Sequence, residues 1–365
     1  MKRKASFAPV PVLAALLLAH AGCAHFGSGT IRADHFDYNK AIVDASNQQL
    51  LLNLVRMRYN DPWMFLEVSS VVSQYELRGA AAASPRLVNG AGLAESGIGL
   101  GVDYAERPTV SYVPVQGGDF AHVMLTPIPA HVLIYLSGAG WEIKTLLMSC
   151  AESVNGVKNA HGGPTWMFAP DASGFRELLE TMQVLQRADA YSVRTETDGN
   201  GKGKVLLVLN ETKMPEAARA QDRLRELLGL EPGGTRFEIA GGLGDNRPDQ
   251  IRMETRPLLG VYYFFAQAVE VPDQHVQESR VIVTMNPDGS RHDWGQVVGK
   301  LFKVRSSKSE PSDAFLKVRH RGYWFYIADD DPFSKQTYSL LNVMTLLQSG
   351  DSEGKSPLLT ISAGP

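Results

Sequence analysis

Apolar positions recur at helical spacing across residues 38–59, where Tyr38, Ile42, Ala45, Leu52, Val55 and Tyr59 fall on one face. Asp37 is placed to cap this helix and Pro62 to stop it. Leu50, Leu51 and Leu52 widen the stripe, so its second half is expected to be covered on more than one side. The period then changes to two. Residues 65–77 and 97–113 read as strands separated by a stretch rich in Ala, Gly and Ser. In the second strand Ile98, Leu100, Val102 and Tyr104 share one face, while Gly97, Gly99, Gly101 and Asp103 share the other. Two structures suit such a strand. One is a half-buried sheet with another element packed closely over the glycines. The other is a hairpin that each subunit of a ring contributes to a shared membrane barrel. The barrel obliges oligomerisation, because a single hairpin cannot close its own edges.

Beyond this hairpin, Asp119 is placed to cap a short helix, Pro129 to begin another, and residues 141–152 to continue helically until Asn155-Gly156. Ser173 is placed to cap a helix with Phe175, Leu178, Leu179, Met182 and Leu185 on one face. Residues 191–197 and 204–210 predict a hairpin, and 215–228 a helix ended by Gly229. Strands are expected near 235–240 and 250–255. From Pro257 to Val269 a helix is apolar almost all round, which requires cover on all sides. Further strands read at 281–285, 301–306, 314–320 and 323–327, before a helix starting at Pro332, capped by Asp331, and ending ahead of Gly350. No regular βαβ rhythm runs through this order. The expected fold is α+β, an N-terminal helix plus β-hairpin region (34–117), a helical cluster (118–170) and a mixed α+β body with antiparallel strands (171–365).

The extreme N-terminus carries an address. Lys2, Arg3 and Lys4 precede an apolar run from Val10 to Ala19 that is too short to span a bilayer. Ala21-Gly22-Cys23 then places small residues ahead of a cysteine, as in a lipoprotein signal peptide (1–22) with lipid attached at Cys23. His20 stands where such signals usually carry Leu; ordinary Sec cleavage nearby and an uncleaved anchor are the alternatives. Residues 23–33 read as a tether. Ala24 lacks the Asp that commonly retains lipoproteins at the inner membrane, so the expected location is the periplasmic face of the outer membrane.

Charge adds an exclusion. The chain has 36 Lys and Arg against 39 Asp and Glu, net −3, and loss of residues 1–22 would remove three bases and no acid. An acidic chain lacks the positive field that nucleic-acid binding needs. With Cys23 lipidated, Cys150 would be the remaining thiol and no intrachain disulfide could form. Leu146, Leu147 and Met148 before it point to burial, and no His lies near it in sequence to activate it.

Motifs for catalysis are not evident. Asp198-Gly199-Asn200-Gly201-Lys202-Gly203 resembles the opening of a calcium loop, but Leu209 stands where a bidentate Glu is needed, and a glycine-rich turn explains the run. Asp329-Asp330-Asp331 suits a helix start better than a chelator. The histidines show no zinc spacing, and no nucleophile elbow, Walker loop or dinucleotide fingerprint is present. No catalytic residue, metal or cofactor is therefore expected. One constellation remains. Lys303 and Arg305 share a strand face, as do Lys317, Arg319 and Arg321 on the next strand, with Phe302, Val304, Leu316 and Val318 turned away. If these strands pair, five cations stand together and invite an anionic partner such as a phosphate or carboxylate. The bland alternative is a solvated face balanced by Glu310, Asp313 and the acids at 329–331. Tyr323, Trp324, Phe325 and Tyr326 read as core and rim of the same sheet, with a stacking platform as the alternative.

Two segments carry a resemblance: Tyr38-Asn39-Lys40-Ala41-Ile42 continuing through Asn47-Gln48-Gln49-Leu50-Leu51-Leu52-Asn53-Leu54-Val55-Arg56 to Phe65-Leu66-Glu67-Val68-Ser69-Ser70, and Arg321-Gly322-Tyr323-Trp324-Phe325-Tyr326-Ile327. They resemble an uncharacterised family of bacterial envelope lipoproteins. The resemblance covers most of the mature chain and implies a shared address and fold, with no activity attached. The expected function is that of a lipid-anchored, non-enzymatic binding or assembly protein whose partners are the membrane, an envelope protein or further copies of itself. The alternative is a subunit of an envelope transport or secretion complex that uses the 65–113 hairpin for oligomerisation or membrane insertion.

Overall fold

The computed structural model describes residues 28–85, 96–163, 171–197, 201 and 203–349, with the backbone alone for 28–37 and most of 67–108. Cys23, the residues 1–22 expected to be a signal peptide, most of the 198–203 run and residues 86–95 lie outside the described residues. Residues 1–49 and 50–365 form two compact units.

Helix α1 spans Ser28–Arg58. It starts ahead of Asp37, which lies inside the helix, so residues 28–33 are helical and not an extended tether. After Gly29 the sequence holds no Gly or Pro before Pro62 to interrupt it. Over residues 38–49 this helix is largely exposed, Ala45 included. From Leu50 onward Leu50, Leu51, Leu54, Val55, Met57 and Tyr59 are all buried, which is the two-sided cover implied by the leucine run. Asn60, at φ 54°, turns the chain out of the helix in a left-handed conformation that Asn tolerates.

Strands β1 (Phe65–Pro85) and β2 (Ser96–Val115) pair antiparallel from Phe65 opposite Val115 to Pro85 opposite Ser96, with a bulge between Val68 and Ser70. Both run further than the alternation alone marked. Gly97, Gly99 and Gly101 stand opposite Ser84, Ala82 and Ala80 in the register. The two strands make a sheet of their own.

Three short helices follow: α2 (Gly118–Leu125), α3 (Ala130–Gly138) and α4 (Ile143–Cys150). Gly117 occupies the N-cap of α2, so Asp119 lies within the first turn. The helix expected through residue 152 ends at Cys150. Ala151–Val154 is instead strand β3, turned by Asn155-Gly156 at φ 45° and 82° into β4 (Val157–Lys158). An Asn-Gly pair with positive φ at both residues makes a tight hairpin, and pairing of Ala151 with Thr255 outweighs further helix. Helix α5 (Ser173–Arg187) begins at Ser173 and is not capped by it: the Asp171 carboxylate accepts from the Ser173 backbone N–H at 3.1 Å and its hydroxyl at 2.9 Å.

β5 (Tyr191–Thr197), β6 (Gly203–Leu209), β7 (Arg236–Gly241) and β8 (Gln250–Thr255) complete a six-stranded sheet in the order β4-β3-β8-β7-β6-β5. Residues read as a helical cluster and residues read as the body thus share one sheet. All its pairs are antiparallel except β7 with β8. Between β6 and β7, helix α6 (Pro215–Leu228) ends at Gly229 in the left-handed conformation, as the sequence predicts.

The apolar helix α7 (Leu258–Ala266) is enclosed: Leu258, Val261, Tyr262, Phe264, Phe265 and Ala266 are all buried. After the short α8 (Asp273–Gln277), residues 281–285 form no strand. Their polar groups serve a folded loop, with the Thr284 carbonyl accepting from His292 N–H and the Thr284 hydroxyl accepting from the Trp294 indole. The strand expected at 301–306 is only β9 (Arg305–Ser307), since Leu301 and Phe302 close turns onto Val298. β10 (Ala314–His320) and β11 (Tyr323–Ala328) form a hairpin, and β11 also pairs with β9. Helix α9 (Pro332–Ser349) closes the described chain, its first turn capped by the Asp331 carboxylate on Ser334 N–H at 3.0 Å. The fold is α+β.

Candidate functional site

The C-terminal sheet separates its two faces sharply. Leu316, Val318, Phe325 and Ile327 are buried in the core. The register puts the alternate positions on the other side: Tyr326 stands between Arg305 and Lys317, and Trp324 between Ser307 and Arg319. Directly opposed residues share a face, so this outer surface has two half-exposed aromatic rings on its middle strand, with cations on both flanks.

The five cations expected to stand together are thereby sorted. β9 and β10 do not pair, because β11 lies between them. Lys303 precedes β9 and is exposed, its backbone N–H donating to the Ser334 hydroxyl at 2.8 Å. Lys317 is engaged by Glu310 at 2.8 Å and by the Pro311 carbonyl at 3.2 Å, with its ammonium 5.8 Å from the Trp324 ring centroid. Arg321 sits in the β10–β11 turn, where it is bound to Asp61 and lies 5.2 Å from the Tyr59 ring centroid. Arg305 and Arg319 form no ion pair with a described carboxylate. Among the described residues the Arg305 Nε is buried with no hydrogen-bond partner.

A second cluster joins the end of α1 to the body, and sequence spacing offered no sign of it because its members are more than two hundred residues apart. Tyr59 shares a 2.7 Å hydrogen bond with His275 Nδ1, and His320 Nε2 meets the Asp61 carboxylate at 2.8 Å. Arg321 donates to that carboxylate through Nε at 3.0 Å. The Arg321 guanidinium holds the Asp61 carboxyl below its ordinary range, with His320 assisting against the opposing effect of burial. Burial lowers His275 and His320, and pushes the Tyr59 phenol up to about 12. The cluster is a neutral-histidine lock with an ion-paired rim. Just past it, the buried Asn53 amide donates to the Met64 carbonyl at 2.7 Å and fixes the foot of the long hairpin. Phe65 then inserts between Phe120 and Tyr262, with ring centroids 6.1 and 5.9 Å away.

Above this anchored foot, apolar side chains are left outside. Tyr112 is 53% exposed, and Met64, Leu66 and Val113 are exposed as well. Leu66 opposite Pro114 and Val68 opposite Tyr112 form one face of the first rungs.

Cys150 is inert by environment. It is fully enclosed, donates to Met344 Sδ at 3.3 Å, and burial pushes its thiol up to about 12. Nearby, the buried Arg256 guanidinium donates to the Met148 and Ser149 carbonyls at 2.9 and 2.7 Å and to Ala160, and lies 4.3 Å from the Phe264 ring centroid. A cation on the last carbonyls of α4 is a helix cap, so this charge is structural. Among the described residues no group of three or more His, Cys, Asp or Glu is placed to hold a metal, and no helix is long and apolar enough to cross a membrane. No protein-family model matches the chain, and neither a curated protein nor a solved structure matches it at a significant level.

Proposed function

We propose that this chain is a non-enzymatic envelope lipoprotein, tethered through Cys23 to the periplasmic face of the outer membrane, that works by assembling with further copies of itself through the β1–β2 hairpin. The observation that carries this reading is the isolation of the hairpin: strands of 21 and 20 residues pair with each other and with no third strand among the described residues. A lone two-stranded ribbon is marginal in water, and each of its outer edges offers a long row of unpaired N–H and C=O groups. At about 3.3 Å per residue it reaches roughly 65 Å, about twice the hydrocarbon thickness of a bilayer. Edge-to-edge pairing with neighbouring hairpins supplies the missing partners, and the exposed apolar rungs at Leu66 and Tyr112 lie where such neighbours would meet. Membrane insertion of the resulting ring is the reading in which the bare glycine face lines a lumen.

Two measurements test this. Palmitate labelling of the parent and of Cys23→Ser reports the anchor, and equal labelling refutes it. A photo-crosslinking residue in place of Tyr112, followed by sizing in mild detergent, reports the assembly. A ladder of self-crosslinked species supports the proposal, while a monomer crosslinked to nothing or to unrelated proteins removes the self-assembly.

A further inference from the structure

We infer that the outer face of the β9–β11–β10 sheet binds a small anionic saccharide, a sugar acid or a sugar phosphate. This stands on different residues from the hairpin proposal and does not depend on it. Trp324 and Tyr326 lie two positions apart on the middle strand, with Cα atoms about 7 Å apart, and their half-exposed side chains form a platform on one face. Such a platform suits the C–H face of a sugar ring. The cations are at its margins: Arg305 across from Tyr326 on one flank, Arg319 across from Trp324 on the other. Guanidinium forks match carboxylate and phosphate oxygens in geometry as well as charge.

Two features show that this pair of arginines lacks its acceptor. Neither is paired with a described carboxylate, whereas Lys317, beside Arg319 on β10, is already neutralised by Glu310 at 2.8 Å. Among the described residues the Arg305 Nε is buried without a partner, and a buried donor of that kind in a folded protein calls for an acceptor. A ligand whose ring rests on Trp324 and Tyr326 brings its acidic group to one arginine or the other. Nucleic acid also combines rings with anions, but it needs a track of cations in a positive field, and this chain is net −3.

The test is calorimetric titration of the full mature chain with tetragalacturonate, glucose 1-phosphate, neutral cellotetraose, inorganic phosphate and oligo-dT. Saturable, salt-sensitive binding of tetragalacturonate or glucose 1-phosphate is expected, and which of them binds identifies the carboxylate or the phosphate as the natural group. Cellotetraose lacks the charge and inorganic phosphate lacks the ring, so both should bind far more weakly. Arg305→Gln, Arg319→Gln and Trp324→Leu should each weaken binding about tenfold or more, while Lys303→Gln should not change it. A thermal midpoint recorded for each variant separates lost binding from lost folding, and the exposed Arg319→Gln keeps the test decisive if Trp324→Leu is unstable. Absence of saturable binding to both acidic sugars overturns the inference. So does binding unchanged in Arg305→Gln and Arg319→Gln, or oligo-dT or inorganic phosphate binding as tightly as the sugars.

Discussion

The molecule contains two antiparallel hairpins near its ends, and they behave as opposites. β10–β11 is short, closed by Arg321-Gly322 with φ of 47° and 84°, extended by β9 on its free side, and buried on one face by Leu316, Val318, Phe325 and Ile327. Its turn belongs to the type that matches strand twist. The non-glycine Arg321 at positive φ is strained, and its guanidinium bonds to Asp61 hold it there. β1–β2 is about three times as long, has no third strand among the described residues, and is held to the body at its foot by Asn53, Trp63 and Phe65. One hairpin is completed by its own chain. The other has edges that no described strand covers, and under the proposed assembly this difference separates the part of the sequence that specifies the fold from the part that would specify association.

The comparison breaks first at Phe325. Truncation to Ala in the fully enclosed centre of the C-terminal sheet should destabilise the protein by about 3–5 kcal/mol, read from the urea midpoint. A loss under 1 kcal/mol would mean that this sheet, too, is peripheral. Asn53→Ala is next. It removes a partly buried hydrogen bond to the Met64 carbonyl and should cost about 0.5–1.5 kcal/mol, with a hairpin foot more open to proteolysis. An unchanged digestion pattern at the foot would show that the aromatic contacts of Phe65 suffice.

The same contrast explains what the sequence disclosed. Period-two alternation and turn residues located eight of the eleven described strands, missing β3 and β4 and most of β9, and the αL glycine at Gly229 ended α6 where expected. The failures came where a local cue was outweighed by distant pairing. Asn155-Gly156 was legible as a helix stop, yet it is a hairpin turn because β3 has β8 to pair with. The five-cation cluster failed on strand order: alternation placed the arginines on the correct face, but nothing local showed that β11 would come between β9 and β10. Arg321 was assigned to the same face although the tight turn, at a left-handed φ, delivers it to Asp61. No local pattern could have joined Tyr59 to His275 or Asp61 to His320, since only the tertiary fold brings them together.

That lock gives the comparison a pH dependence. His275 and His320 have lower pKa values in the fold than the ordinary 6.5, so below that value the unfolded chain binds protons that the native chain refuses. Stability from this source is complete above pH 6.5 and is lost progressively as the pH falls toward the depressed native values. Asp61, also depressed, adds a second loss below its ordinary 3.8. Urea midpoints between pH 7.5 and 5 should therefore decline, and the decline should flatten in His275→Gln with His320→Gln. The same slope in the double variant would place the pH sensitivity elsewhere.

The smallest effect on folding is expected from the largest change in sequence. Val71 and Val110 are direct partners in the register, so residues 72–109 can be replaced by Asn-Gly, a two-residue turn compatible with the strand twist. The shortened chain keeps the foot, with Phe65 against Phe120 and Tyr262 and Asn53 on Met64. A two-stranded ribbon with open edges contributes little net stability, so the unfolding free energy of the soluble, unlipidated monomer, read from urea denaturation, should change by no more than about 0.5 kcal/mol. Assembly should disappear altogether, because the edges that pair between copies are gone. Gly99→Leu in the full-length chain refines the result: a side chain forced against a packed neighbour should weaken the assembly, whereas a roomy lumen should accept it. If the shortened chain unfolds readily as a monomer, the hairpin is part of the folding unit after all, and its two strands resemble β10–β11 more closely than their isolation implies.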